Sequence, residues 1–142
     1  MKAVTGGQAI VKCLESQGVE YVFGMAGHAN LALLDALIDS DIKFISVPHE
    51  QIAAHAADAF FRLTHKPAVV VTTTGPGATN TVTGLADALM DSSAMVVICG
   101  GIPSFYSGTG SYQEMDAHYD DEQFEIFKPV TKKVWKVASP GL

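Results

Sequence analysis

Basic residues are scarce. Nine lysines and arginines stand against fifteen aspartates and glutamates, for a formal net charge of −6. A protein that grips a nucleic-acid backbone clusters positive charge on one face. No such stripe occurs, so nucleic acid is not an expected partner. Long apolar runs are missing too. None approaches the roughly 18 residues of a membrane span, and the N-terminus lacks the charged-then-apolar pattern of a secretory signal. No membrane association is expected, and the chain is read as cytoplasmic. Cysteine is down to Cys13 and Cys99, whose separation fits no metal spacing. Two buried, reduced thiols are the expectation for that compartment. There is no internal repeat and no low-complexity segment.

What is present suits one domain. Of 142 residues, 48% are hydrophobic and 17% charged, enough apolar material for a core and too much for a disordered chain. Thr5 and Gln8 form a capping box that opens a helix through "GQAIVKCLESQ", and Gly18 is its natural stop. "EYVFG" reads as a strand. Asn30 is placed to cap a helix over "LALLDALIDS", whose leucines recur at helical spacing. "KFISV" is a second strand, and Pro48 suits the first turn of the helix after it. "PAVVVTT" is apolar and β-branched, as a strand buried on both faces should be. "ATNTVTGLADALMDS" predicts one helix and "AMVVICGG" another buried strand. Ile102 to Asp116 reads as a long loop, "DDEQFEIF" as a short helix and "VTKKVWKV" as a last strand. Strands alternating with helices predict a three-layer α/β fold, a mostly parallel twisted sheet with helices on both faces.

In such sheets ligands gather beyond the carboxyl ends of the strands. Four glycine-rich or polar segments fall there: "GMAGHAN", "PHEQ", "TTGPGATN" and "GGIPSFYSGTGSYQEMD". One shared ligand site is the natural expectation. "HEQIAAH" imitates a zinc-protease motif, but its histidines are six residues apart. At about 100° per residue His49 and His55 point roughly 120° apart and cannot share a metal. "GPGATN" follows a strand and opens a helix, yet Asn80 stands where a dinucleotide fingerprint needs its third glycine. "GK", which a P-loop requires, occurs nowhere, and neither does G-x-S-x-G. The loop either brings backbone close to a ligand or is a plain tight turn. His65 and His118 lie in polar stretches and read as solvated.

Taken in order, "GVEYVFGMAGHANLALLDAL", "VPHEQIAAHAADAF", "VVVTTTGPGATNTVTGLADALMDSS" and "SYQEMD" resemble the N-terminal pyrimidine-binding domain of thiamine-diphosphate enzymes. The likeness is to the acetolactate-synthase-like and 2-oxo-acid decarboxylase group, and it spans roughly residues 4 to 137. It implies that Glu50 hydrogen-bonds N1′ of the cofactor's aminopyrimidine. The 4′-imino nitrogen then takes the proton from the thiazolium C2, whose ylide attacks a 2-oxo acid. Ala53, Ala54 and Ala57 follow Glu50 and leave room for a flat ring. Read without the likeness, Glu50 is an ordinary first-turn helix acid. The likeness further implies that Gly27 borders the pyrimidine, with Ala26 standing where proline is usual. Thr74, Gly75, Pro76, Gly77 and Asn80 would wrap its edge, and Gln113 would reach the reaction centre. His28 either relays protons to the substrate or serves structure.

Such enzymes hold the diphosphate through magnesium in a second domain marked by Gly-Asp-Gly, and "GDG" is absent here. No metal ligand is therefore expected in this chain. The likeness implies half of a site, completed by a diphosphate-binding domain of the same or another chain within a homodimer. The expected organisation is a single pyrimidine-binding domain over residues 1–142, lacking its closing helix and inactive alone. Two other classes stay open: a non-catalytic α/β assembly module, and an unrelated nucleotide-binding domain. A subunit of a split decarboxylase is a variant of the first reading.

Overall fold

The reciprocal cap predicted at Thr5 is present. Its hydroxyl accepts the Gln8 N–H at 3.2 Å, and the Gln8 side-chain oxygen accepts the Thr5 N–H at 3.0 Å. It starts α1 (Gly6–Ser16), and Gly18 follows at φ +71°. Next come β1 (Tyr21–Gly24), a 3-10 turn (His28–Asn30), α2 (Leu31–Ile38), β2 (Lys43–Ser46) and α3 (Glu50–Thr64). The chain continues through β3 (Ala68–Thr72), α4 (Pro76–Thr79), α5 (Val82–Met90) and β4 (Met95–Cys99). Two more 3-10 segments, Ser104–Tyr106 and Gln123–Val130, follow. This computed structural model describes residues 4–106 and 123–137.

The four strands form one parallel sheet in the order β2-β1-β3-β4. Its centre is β3, buried at every position. Alternation along β3 divides the core. Val69 and Val71 face a cluster with Val11, Leu33, Leu37 and Ile42, which belongs to the α1 and α2 side. Ala68 and Val70 face Ala53 and Ala57 of α3, with Phe23 and Phe60 packed alongside. A third cluster joins Leu85 of α5 to Ala78 and Phe127. The predicted three-layer α/β architecture is therefore the observed one. None of the described helices is long and apolar enough to cross a membrane.

Several local expectations are corrected. β4 is an edge strand, and Val96 is 51% exposed rather than buried. Cys99 sits at its exposed end and Cys13 on the outside of α1, so neither thiol is buried. The helix expected over "ATNTVTGLADALMDS" is two, because the chain turns between Thr79 and Val82 with the Thr81 hydroxyl donating to the Ala78 carbonyl at 2.7 Å. Pro48 lies before the N-cap of α3, which is His49. His65 is exposed as expected, and it ends α3 with a left-handed backbone and its ring edge-on to Phe61. "VTKKVWKV" forms no strand within its described residues. Val130 and Val134 both pack on the third cluster, and a strand would put Lys132 on that same face. The stretch "DDEQFEIF" gives a 3-10 helix from Gln123 onward, and His118 lies outside the described residues.

Candidate functional site

Glu50 is the first residue of α3. His49 caps the helix, its Nδ1 accepting the Gln51 N–H at 3.2 Å. The next two small residues of the buried face, Ala53 and Ala54, have no exposed surface, so α3 lies tight against the sheet and α5. Glu50 is carried inward with it and is only 4% exposed. A buried carboxylate needs partners. Asn80, beyond the end of α4, donates from Nδ2 to Glu50 Oε2 at 3.0 Å. The other oxygen, Oε1, faces Gly77, where an added Cβ would lie 3.3 Å away. His55 turns elsewhere, with its Nδ1 3.6 Å from Asp87 Oδ2 of α5.

The "TTGPGATN" loop is shaped by its backbone. Gly75 has φ +60° and ψ −124°, a conformation open in practice to glycine alone. That turn lets Pro76 start α4 and brings Gly77 beside Glu50. Thr74 is completely buried and Gly77 is buried, while Pro76 is exposed.

The "GMAGHAN" loop reaches the same place from β1. Asn30 does not cap α2 with its side chain. Instead its Oδ1 accepts the Gly27 N–H at 2.9 Å and its Nδ2 donates to the Met25 carbonyl at 2.9 Å. Asn30 is 4% exposed, and this internal clamp fixes the loop. Gly27 then abuts Thr73, because an added Cβ would overlap the Thr73 Cβ and lie 2.7 Å from Oγ1. Ala26 and His28 stand on either side of Gly27, both exposed.

The fold thus gathers Glu50, Gly77 and Asn80 directly, and joins Gly27 to them through Thr73. Gln113 lies outside the described residues. Sequence reasoning missed Thr73 and the clamp role of Asn30. Both left signals. Thr73 continues the Val69–Val71 alternation one step past the strand, and Asn30 stands three residues after a glycine in a polar turn.

The arrangement fits an aminopyrimidine. It offers a buried carboxylate to an edge nitrogen and, at Gly77, a close backbone approach that a side chain would block against Thr73. No Lys or Arg stands among the residues named here, so these side chains give a diphosphate no cationic partner.

Residues 4–121 match the family model of the thiamine pyrophosphate enzyme N-terminal TPP binding domain. A probable acetolactate synthase large subunit of Methanocaldococcus jannaschii is 44% identical over 135 residues, which is 95% of this chain and 22% of that protein. The acetolactate synthase large subunit of Parasynechococcus marenigrum is 43% identical over 144 residues, 99% of this chain and 22% of that protein. The acetolactate synthase isozyme 2 large subunit of Escherichia coli is 45% identical over 113 residues, 80% of this chain and 21% of that protein. The chain therefore spans about a fifth of the length of these relatives. It belongs to the family of thiamine pyrophosphate enzyme N-terminal TPP-binding domains.

Proposed function

We propose that this chain is the pyrimidine-binding half of a cytoplasmic, acetolactate-synthase-like enzyme acting on 2-oxo acids. The observation that carries the reading is Glu50, a carboxylate 4% exposed at a helix start and held by Asn80. When bound, thiamine diphosphate supplies a carbon nucleophile that attacks the 2-oxo acid and an electron sink for decarboxylation. The protein's part is positional. Glu50 shares a proton with the ring nitrogen, and Asn80 fixes the rotation of its carboxyl group. Gly77 keeps the space beside Oε1 open. Gly27, Thr74, Gly75 and Pro76 border the ring, His28 faces the substrate side, and Gln113 reaches the reaction centre.

The charged end of the cofactor needs magnesium and donors, since desolvating a diphosphate without them is costly. A diphosphate-binding domain, on this polypeptide or another, supplies both. The chain alone then does not decarboxylate a 2-oxo acid. Assembly is as a homodimer, supported by the exposed Ile52, Leu63 and Met90 on α3 and α5.

The deciding experiment is exchange of the cofactor's C2 proton, followed by NMR in the chain paired with a diphosphate-binding domain. Glu50→Gln should slow exchange by orders of magnitude while leaving the fold intact. Exchange as fast as in the parent would show that Glu50 is not the activating acid.

A further inference from the structure

Thr73 ties the two glycine loops together. It stands one residue beyond β3 and is half-buried. Its Oγ1 accepts the Ala29 N–H at 3.3 Å, anchoring the loop that carries Gly27. Its methyl reaches the other loop, for a Cβ on Gly77 would lie 2.6 Å from Thr73 Cγ2, and it also borders Gly27, where an added Cβ would lie 2.8 Å from it. A β-branched side chain is stiff about χ1. The hydroxyl therefore holds the Gly27 loop while the methyl is fixed between the Gly27 and Gly77 loops. The Gly77 loop also leads to Asn80, which holds Glu50 Oε2, and a Cβ on Gly77 would lie 3.3 Å from Oε1.

We infer that Thr73 is a positioning residue, whose hydroxyl and methyl jointly set the spacing of the Gly27 and Gly77 loops and so the room for a ring beside Glu50. Its value to ligand binding rests on the proposed pyrimidine site; its action as a spacer does not. Two variants separate the two groups. Thr73→Val keeps the shape and removes the acceptor. Thr73→Ser keeps the acceptor, removes the methyl, and frees the rotamer.

The test is NMR of the full 142-residue chain, with thiamine as the probe. Exchange of the Ala29 amide should rise about fivefold or more in Thr73→Val, the loss of one hydrogen bond, and stay near the parent value in Thr73→Ser. Amides of Val11 and Leu85 should exchange as in the parent in both, marking an intact core. In the thiamine titration, shifts of the Gly77 and Asn80 amides should saturate at roughly fivefold higher concentration in each variant. Unchanged Ala29 exchange in Thr73→Val, or parent-like thiamine affinity in both variants, overturns the inference. Glu50→Gln distinguishes the underlying reading. A thiamine response that is absent from the parent, or the same in Glu50→Gln, sinks the pyrimidine site, while Ala29 exchange still decides whether Thr73 is the spacer.

Discussion

Asn80 and Glu50 are 30 residues apart in sequence and 3.0 Å apart in space, Nδ2 donating to Oε2. The bond links the end of α4 to the start of α3, and it leaves Oε1 directed at Gly77. Replacing Asn80 by aspartate would set two carboxylates against each other in a buried place, where both cannot ionise cheaply. The folded state would then hold a proton that the unfolded chain releases, so the penalty grows as pH rises. Asn80→Asp should lower the melting temperature most at neutral pH and approach the parent as pH falls toward about 4. Melting curves across that range check it, and a pH-independent loss would contradict the pairing.

Gly77 and Thr73 should be energetically coupled. Gly77→Ala presses its Cβ to 2.6 Å from Thr73 Cγ2, an overpacking worth about 1–3 kcal/mol. In a Thr73→Ser background the methyl is gone, so the same substitution should cost less. Urea denaturation of the four proteins in the cycle measures the difference. Strict additivity would place Thr73 elsewhere.

The Asn30 clamp predicts a graded series. Asn30→Ala strands the Gly27 N–H and the Met25 carbonyl, at about 1–3 kcal/mol. Asn30→Asp keeps the acceptor for Gly27 but turns a buried carboxylate oxygen toward the Met25 carbonyl, so at neutral pH its loss should exceed that of Asn30→Ala. Denaturant midpoints rank the three proteins.

Acid sensitivity has a visible source on α3. Arg62 Nε donates to Asp58 Oδ1 and Oδ2 at 3.0 and 2.9 Å, and its guanidinium also meets Asp91 of the α5 terminus. The hydrogen bond from Arg62 is the main reason that the Asp58 carboxyl sits below its ordinary value of 3.8, outweighing burial, with Ser93 assisting. A lowered folded value means stabilisation that is complete above 3.8 and lost as pH falls through the folded value. Arg62→Ala should flatten this acid limb. Arg62 is half-exposed, so salt should weaken the effect. Melting temperatures between about pH 5 and 2.5, at low and high salt, provide the check.

Self-association should be visible in sedimentation. Leu63 is 84% exposed and Met90 83% exposed, an apolar display that favours burial against a partner. Leu63→Lys and Met90→Lys should shift the chain toward monomer. A parent that stays monomeric at high concentration would count against a homodimer.

Much of the fold was legible because its signals are local. The Thr5–Gln8 cap, the all-apolar β3 and the leucines of α2 each depend on neighbours within a few residues. The misreadings were of context. "AMVVIC" looks as buried as "AVVVT", yet one is an edge and the other the centre, and strand order is not written in either segment. Asn30 has the composition of a cap, but a nearby loop offered its amide two backbone partners instead.

A parallel α/β chain, with an acid opening its third helix and glycine loops at neighbouring strand ends, is already readable along the residues. Those features follow from periodicity, turn chemistry and the tendency of ligands to sit beyond parallel strands. That Asn80 holds Glu50, that Asn30 clamps Gly27, and that Thr73 lies between the two loops emerges once the chain is folded. Each of those pairings requires strand order and helix packing to bring distant segments within hydrogen-bond reach. Side chains that meet across a fold are selected by the geometry of the whole core, which no single segment encodes.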